Sequence, residues 1–217
     1  TRWTRVTELP GASQVYSMAV YEGRMVVGTW PEASVFRWEK DGSWTNMGRL
    51  GDELEVMGMA VYNGKLYAGT LPLAQVYRYD GDGRWTCTGQ LDTTPEVRYR
   101  RAWSTAVFQG KLFFGTLPSG RVHSLEAGRN ATCDRQLAPG WRHLAAVRSG
   151  GVLRLYIDGA EVGVSTAFDP AAYDLSNQEP LQIGFGQHDY FRGRLCDLRL
   201  YRGALREAEI AVLGQSG

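Results

Sequence analysis

The chain has 217 residues, which is enough for one large domain or two modest ones with a hydrophobic core. Its 24 Lys and Arg residues almost balance its 23 Asp and Glu residues, so the formal net charge is +1. This balance excludes a strong non-specific attraction to nucleic acid or to an anionic membrane surface. No apolar run approaches the roughly 20 residues that a membrane-spanning helix needs.

The composition favours β structure. The sequence contains 27 Gly, 11 Tyr, 7 Trp and 7 Phe, and many of its short apolar segments end in Gly, Asp or Asn. Aromatic and β-branched residues suit the pleated surface of a sheet, and Gly-rich breaks suit turns. The three cysteines, Cys87, Cys133 and Cys196, are an odd number, so they cannot form a full disulfide framework and leave the redox compartment open.

A 41-residue repeat runs through the first part of the chain. Trp3, Trp44 and Trp85 are each followed by Thr and, six positions after the Trp, by Leu. Other matched segments follow in the same order in all three copies. They are residues 18–21, 59–62 and 105–108, the turns at 22–24, 63–65 and 109–111, and the Gly-Thr-x-Pro motifs at 28–31, 69–72 and 115–118. The third copy is displaced by 46 residues rather than 41, which places an insertion within about residues 92–103.

Each copy holds four short apolar runs separated by hairpin-type turns, a pattern that predicts a four-stranded antiparallel sheet. Four strands in about 40–45 residues are typical of a propeller blade. Asp41-Gly42-Ser43-Trp44 and Asp82-Gly83-Arg84-Trp85 resemble the Asp-box turn, although the upstream Ser or Thr of that box is missing. Residues 1–137 therefore resemble kelch-like and Asp-box-like β-propeller repeats, with three blades. The segment 3–9 is expected to be a closing strand, and residues 131–137 keep the same frame without the Trp.

Residues 138–217 follow a different pattern. Strands are predicted at residues 141–147, 152–159, 181–184 and 191–201, and a helix at residues 204–213. Trp141-x-His143, Leu155-Tyr156-Ile157-Asp158-Gly159 and Phe191-x-Gly193-x-Leu195 resemble the C-terminal half of a laminin-G-like, concanavalin A-like jelly roll. The resemblance implies a partial β-sandwich, whose apolar face needs cover from the repeats, another chain or further sequence. The predicted fold class is all-β: three propeller-type four-stranded blades, a partial sandwich and one short C-terminal helix.

Candidate ligand-binding residues lie mainly in the insertion. They are Trp30, Arg98, Tyr99, Arg100, Arg101 and Trp103. Guanidinium groups pair with carboxylate or sulfate, and aromatic faces stack on sugar rings, so this set suits an acidic sugar. Trp30 stands where the other two copies have Leu, and could stack on a sugar at the mouth of a ring. The alternatives are a solvated loop anchored by Trp103 and a packing role for Trp30.

Signals for catalysis or metal binding are weak. No Ser/His/Asp or Cys/His set is visible, and the three histidines lie far apart in sequence, so no catalytic residue, metal or cofactor is predicted. Asp189 could supply one oxygen ligand, whereas calcium takes six to eight. Asn130-Ala131-Thr132 matches the N-glycosylation pattern, which is common by chance.

These features lead to three functional hypotheses. The first is a non-enzymatic secreted binding or adhesion protein, extracellular or at the cell surface, with a glycan as the expected ligand. The second is a structural protein that self-assembles into a ring or filament, or is completed by another chain. The third is an ancillary region of a secreted, sialidase-like glycosidase. No nucleic-acid partner and no membrane span are expected.

Overall fold

The computed structural model describes residues 1–215, and most of their regular structure is β-strand. The strands are β1 (Gln14–Tyr21), β2 (Arg24–Trp30), β3 (Ser34–Trp38), β4 (Trp44–Arg49), β5 (Glu55–Tyr62), β6 (Lys65–Leu71), β7 (Gln75–Gly81), β8 (Arg84–Gln90), β9 (Arg101–Phe108), β10 (Lys111–Leu117), β11 (Val122–Leu125), β12 (Leu144–Ser149), β13 (Val152–Ile157) and β14 (Ala160–Val164). A 3-10 turn covers Pro170–Ala172, and helix α1 covers Glu207–Gln215. The predicted all-β class with one short C-terminal helix is confirmed.

Each of the first two copies of the repeat folds into a four-stranded antiparallel sheet. Sheet 1 has the order β1-β2-β3-β4, and sheet 2 has the order β5-β6-β7-β8. The β1–β2 turn shows why the sequence folds this way. Glu22 and Gly23 both have positive φ, 51° and 68°, which is the backbone twist that two-residue hairpin loops favour. The sheets alone do not define a closed ring, so the propeller interpretation stays a prediction.

The threonine of the Gly-Thr-x-Pro motif fixes the loop between the second and third strands of each sheet. Thr29 Oγ1 donates a hydrogen bond of 2.9 Å to the carbonyl oxygen of Ser34, and Thr70 Oγ1 donates one of 2.9 Å to that of Gln75. The third copy repeats this arrangement at Thr116. All three threonines are buried. A buried hydroxyl without a partner would cost roughly 1–3 kcal/mol, so the motif needs this hydrogen bond.

Sheets 1 and 2 share an apolar core. Val26 and Val35 of sheet 1 belong to the same buried cluster as Val56 and Leu66 of sheet 2. Full burial of each such side chain contributes roughly 1.5–3 kcal/mol. A Cβ added to Gly28 would overlap the side chain of Val56. The glycine of the motif therefore makes room for the first strand of the next sheet.

The repeated tryptophan connects each copy to the segment before it. Trp85 Nε1 donates a hydrogen bond of 2.8 Å to the carbonyl oxygen of Met47 in sheet 1. Trp44 Nε1 donates one of 3.3 Å to Thr7 Oγ1. Asp41 accepts hydrogen bonds from the backbone N–H and the hydroxyl of Ser43, which caps the β3–β4 hairpin.

The third copy differs from the pattern in its number of strands. Sheet 3 contains three strands in the order β11-β10-β9, and residues 131–137 hold no strand. Residues 131–137 lack the Trp through which sheet 2 contacts the copy before it. Residues 3–9 are not a strand either, which corrects the expected closing strand. Thr7 accepts the hydrogen bond from Trp44, and Trp3 is almost fully exposed.

The C-terminal region contains a further antiparallel sheet, with the order β12-β13-β14. Strands β12 and β13 lie within or close to the predicted segments, whereas β14 was not predicted. Residues 141–143 were predicted to belong to this strand but lie just before β12, because they bind the turn that follows β13. Asp158 accepts hydrogen bonds from the backbone N–H of His143 at 3.0 Å and from Nη1 of Arg142 at 2.9 Å.

Two predicted strands of the jelly-roll half do not form. Residues 181–184 and 191–201 contain no strand, apart from an isolated bridge between Phe185 and Tyr190 just outside them. A strand is stabilised by its neighbours in a sheet, and these segments have no partner strand among the described residues. The predicted helix forms but begins three residues later, at Glu207–Gln215. The backbone N–H of Arg206, the residue just before the helix, donates a hydrogen bond of 2.7 Å to Glu209 Oε2.

The chain divides into two compact units. The first contains Thr1–Val107, Leu112–Leu125 and Gln182–Arg192, and the second contains Phe108–Lys111, Glu126–Leu181 and the chain from Gly193 onward. Within the first unit, the backbone N–H groups of Glu22 and Gly23 donate to the carbonyl oxygens of Gln187 and His188 at 2.6 and 2.9 Å. The segment Gln182–Arg192 therefore lies against the β1–β2 turn. No helix among residues 1–215 is long and apolar enough to cross a membrane.

Candidate ligand-binding site

The insertion in the third copy forms the loop that leads into β9. Arg98, Tyr99 and Arg100 lie in this loop, and Arg101 and Trp103 belong to β9 itself. Trp30 lies at the end of β2, in sheet 1. The loop runs from β8 to β9, so it links sheets 2 and 3.

A buried carboxylate holds the start of this loop. Asp92 accepts hydrogen bonds from the backbone N–H and the hydroxyl of Thr94 at 2.8 and 2.6 Å, and from the backbone N–H of Ser119 at 3.1 Å. Burial raises the pKa of Asp92, but the hydrogen bonds from Thr94 and Ser119 outweigh it and hold the pKa well below its usual range. Asp92 is therefore an ionised anchor of the loop.

Arg100 is also an anchor. Its backbone N–H donates to the carbonyl oxygen of Pro72 at 2.8 Å, and its Nε donates to the carbonyl oxygen of Thr94 at 3.1 Å. A short parallel bridge joins it to Leu73. Part of its hydrogen-bonding capacity is thus used inside the protein, where it holds the loop against the segment after β6.

Arg101, Trp103 and Tyr16 form a connected group of side chains. The guanidinium carbon of Arg101 lies 5.7 Å from the centroid of the Trp103 ring, within cation–π range. The Trp103 ring lies 5.8 Å from that of Tyr16, tilted by 60°. Both rings remain exposed. In the loop, the guanidinium carbon of Arg98 lies 4.9 Å from the Tyr99 ring centroid.

The repeat places three polar residues at equivalent positions. Gln14, Glu55 and Arg101 are the first residues of β1, β5 and β9, the first strands of their sheets. These strands are neighbours, because β1 contacts β5 and a Cβ added to Gly58 of β5 would overlap the carbonyl oxygen of Trp103. The Arg101 group therefore lies at one edge of the first unit, where the first strands begin. We call this edge, with Tyr16, Glu55, Arg101 and Trp103, the strand-start site.

Glu55 is the residue of this site that the sequence did not reveal. It is buried, and its Oε1 has no hydrogen-bond partner among the described residues. Burial raises its pKa, and the positive charge of Arg101 works in the opposite direction. The alignment of Gln14, Glu55 and Arg101 in the repeat is the signal that could have found it.

Glu53 is a second buried carboxylate, just before β5. Its Oε2 accepts a hydrogen bond of 3.1 Å from the backbone N–H of Leu73. Burial raises its pKa, while the hydrogen bonds from Leu73 and Thr70 lower it less. Leu73 and Ser119 both follow the proline of the Gly-Thr-x-Pro motif, so buried carboxylates cap equivalent N–H groups in the second and third copies.

Trp30 is not joined to this site by any described ring contact. It is half-buried, and its carbonyl oxygen accepts a hydrogen bond of 3.2 Å from the backbone N–H of Ser13. It pairs with Gln14 across β1 and β2. The structure therefore places it at the same end of sheet 1 as Gln14.

Metal and thiol chemistry has little support within residues 1–215. No group of three or more His, Cys, Asp or Glu side chains could hold a metal ion there. Asp189 Oδ1 accepts the backbone N–H of Tyr190 at 2.8 Å. All three cysteines are free.

Comparison with known proteins gives one family. The family described as the concanavalin A-like lectin/glucanases superfamily matches residues 93–211. Among solved structures, residues 221-444 of an S-layer domain-containing protein from Clostridium thermocellum ATCC 27405 are similar at 18% identity. The similarity covers 79% of this chain and 91% of that chain, with a TM-score of 0.28, which does not establish a shared fold. No curated protein matches the sequence.

The family match covers more than half of the chain, from the insertion of the third copy to helix α1. It confirms the resemblance to laminin-G-like and concanavalin A-like domains, and it begins well before Trp141, where the sequence motifs of that resemblance start. The chain therefore belongs to the concanavalin A-like lectin/glucanases superfamily.

Proposed function

We propose that the protein is a non-enzymatic carbohydrate-binding protein and that the strand-start site contacts the sugar. The observation that carries this proposal is the series of contacts from the half-buried Arg101 to the exposed rings of Trp103 and Tyr16. Membership of a superfamily whose description names lectins supports a binding role in general terms. Fold membership alone does not identify a ligand.

The chemistry of the site suits a sugar. The faces of Trp103 and Tyr16 offer apolar surface to the C–H groups of a pyranose ring, while their edges remain polar. The Arg101 guanidinium carries five N–H donors for hydroxyl or carboxylate oxygens. Glu55 is buried but interacts electrostatically with Arg101, so it can tune the positive charge that Arg101 presents to a sugar.

The remaining candidate residues have separate roles in this proposal. Arg98 and Tyr99 extend the ligand-binding surface along the loop, with the guanidinium group over the ring. Arg100 holds the loop in place through Thr94 and Pro72. Trp30 offers a further stacking surface at the end of β2. A glycan ligand also fits the expected location outside the cell or at its surface.

A glycan array with a tryptophan variant tests the proposal. We expect wild-type protein to bind at least one class of oligosaccharide and Trp103→Ala to lose roughly fivefold or more in affinity. Base–aromatic and similar stacking contacts are worth about 1–3 kcal/mol, which corresponds to such a loss. Trp141→Ala is the matched control, because Trp141 is also exposed but lies in the second unit.

Two results would count against the proposal. The first is a folded wild-type protein that binds no glycan on the array. The second is equal binding by the Trp103 variant and by the control. Hydrolysis of a fluorogenic sialoside that disappears in Arg100→Ala would instead favour the glycosidase alternative.

A further inference from the structure

Sheet 1 exposes apolar residues that are buried at the equivalent positions of sheet 2. Val15 is 44% exposed, whereas its equivalents Val56 and Ala102 are both 0% exposed. Met18 is 65% exposed, whereas Met59 is 9% exposed. We call Val15 and Met18 the leading face. In sheet 2 the same face is covered by sheet 1, whereas no sheet covers it on sheet 1 within residues 1–215.

Sheet 3 shows the complementary situation on its other face. Val35, Val76 and Val122 occupy equivalent positions, and they are 0%, 4% and 74% exposed. Val35 lies in the core that sheet 2 covers. We call the surface around Val122 and the half-buried Phe113 the trailing face. It lacks the cover that sheet 2 gives to sheet 1.

The interface between consecutive sheets is built in the same way twice in this chain. Gly28 of sheet 1 lies against Val56 of sheet 2, and Gly69 of sheet 2 lies against Ala102 of sheet 3. Gly115 is the third glycine of this series, and only Ser104 of its own sheet approaches the position of an added Cβ. The trailing face therefore keeps the glycine that admits a following strand.

We infer that a second copy of this chain packs its leading face on the trailing face of the first, with Val15 of one chain above Gly115 of the other. The occupant follows from continuity: the contact repeats, between chains, an interface that the chain already makes twice within itself. The two faces differ, so the association is head-to-tail and produces a ring or a filament. This inference goes beyond the proposed sugar binding and does not depend on it.

Light scattering on complementary variants tests the inference. We expect wild-type protein to form species larger than the 24.1 kDa monomer, and we expect Met18→Asp and Val122→Asp each to lose the larger species when studied alone. An equal mixture of the two variants retains one intact pair of faces. It should therefore form a dimer and nothing larger.

The single variants distinguish this geometry from a symmetric one. A face-to-face dimer through two leading faces would be abolished by Met18→Asp but would persist in Val122→Asp alone. Leu175→Asp is the control, because Leu175 is 70% exposed and lies in the second unit. A wild-type protein that stays monomeric at all concentrations, or association that survives Met18→Asp, would overturn the inference. Circular dichroism of each variant separates a lost interface from a lost fold.

Discussion

The indole Nε1 of Trp85 donates a hydrogen bond to the carbonyl oxygen of Met47, 38 positions earlier in the chain. Trp44 makes the equivalent connection to Thr7, 37 positions earlier. The residue that marks the 41-residue period in the sequence is therefore also the residue that joins one copy to the segment before it. Where the Trp is missing, at residues 131–137, the fourth strand is missing as well.

Loss of this hydrogen bond should destabilise the protein. Trp85→Phe keeps an aromatic ring but leaves the Met47 carbonyl without its partner, so we expect the free energy of unfolding to fall by about 1–2 kcal/mol. Urea denaturation followed by circular dichroism measures the change. Trp3→Phe is the control, because Trp3 holds the equivalent position and is almost fully exposed. Equal stability of both variants would show that the hydrogen bond contributes nothing.

The close approach of sheets 2 and 3 should make Gly69 intolerant of a side chain. A Cβ on Gly69 would overlap the carbonyl oxygen of Ala102, which is backbone and cannot rotate away. We expect Gly69→Ala to lower the free energy of unfolding by about 3 kcal/mol, the upper range for overpacking. Gly89→Ala is the matched control in sheet 2, because nothing lies within 4 Å of an added Cβ there. A thermal or urea unfolding curve close to that of the wild type would contradict the packing argument.

The sequence predicts those parts of the fold that local chemistry determines. The turn at Glu22-Gly23 and the one at Asp158-Gly159 have positive φ at both residues, as their composition indicates. Residues 191–201 have an equally clear apolar pattern but form no strand. Pairing depends on a neighbour elsewhere in the chain, and an apolar pattern carries no information about whether that neighbour is present.

The candidate site is predictable to a smaller extent. Arg101 and Trp103 attract attention because an arginine-rich insertion with aromatic residues is unusual in the repeat. From the sequence alone, Glu53 and Glu55 would be expected at the protein surface, because carboxylates are rarely buried. Their burial results from packing between strands of different copies. The equivalence of Gln14, Glu55 and Arg101 in the repeat places Glu55 near Arg101, but it does not reveal that either carboxylate is buried.

The buried carboxylate of Asp92 should make stability depend on acid pH. Its pKa in the folded state lies below the ordinary value of 3.8, so its stabilising effect is complete above that value and is lost as the pH falls towards the folded-state pKa. We expect Asp92→Asn to lower the free energy of unfolding at pH 7 by about 2 kcal/mol, as for hydrogen bonds to a charged group. The variant should also lose less stability than the wild type between pH 5 and pH 2. Asp82→Asn, at an exposed turn, should change neither quantity.

Glu53 should show the opposite pH dependence. Burial raises its pKa above the ordinary value of 4.5, so its stabilising effect is present below that value and is lost as the pH rises through the folded-state pKa. Glu53→Gln keeps an oxygen that can accept the N–H of Leu73 and removes the charge. We expect the stability of the variant relative to wild type to be more favourable at pH 7 than at pH 4. Glu32→Gln, which is exposed, serves as the control for the same pair of urea curves.

Glu55 should influence which sugars bind at the strand-start site. Its buried carboxylate is near enough to Arg101 for the two charges to interact, so it contributes to the electrostatic potential that a ligand on Arg101 meets. When ionised, it would oppose a sugar that carries a carboxylate. Charges that interact near a protein surface commonly change binding by about 1 kcal/mol, or roughly fivefold. Glu55→Gln should therefore raise affinity for 3′-sialyllactose about fivefold and leave lactose unchanged.

Calorimetric titration at low salt measures both ligands on the same variant, and added salt should reduce the gain because it screens the charges. Glu8→Gln removes an exposed carboxylate of the same unit and should alter neither affinity. Equal changes for the two sugars would mean that Glu55 affects the shape of the site rather than its charge. If Trp103→Ala also left both affinities intact, the sugar would bind elsewhere, and the role assigned to Arg101 would fail together with that of Glu55.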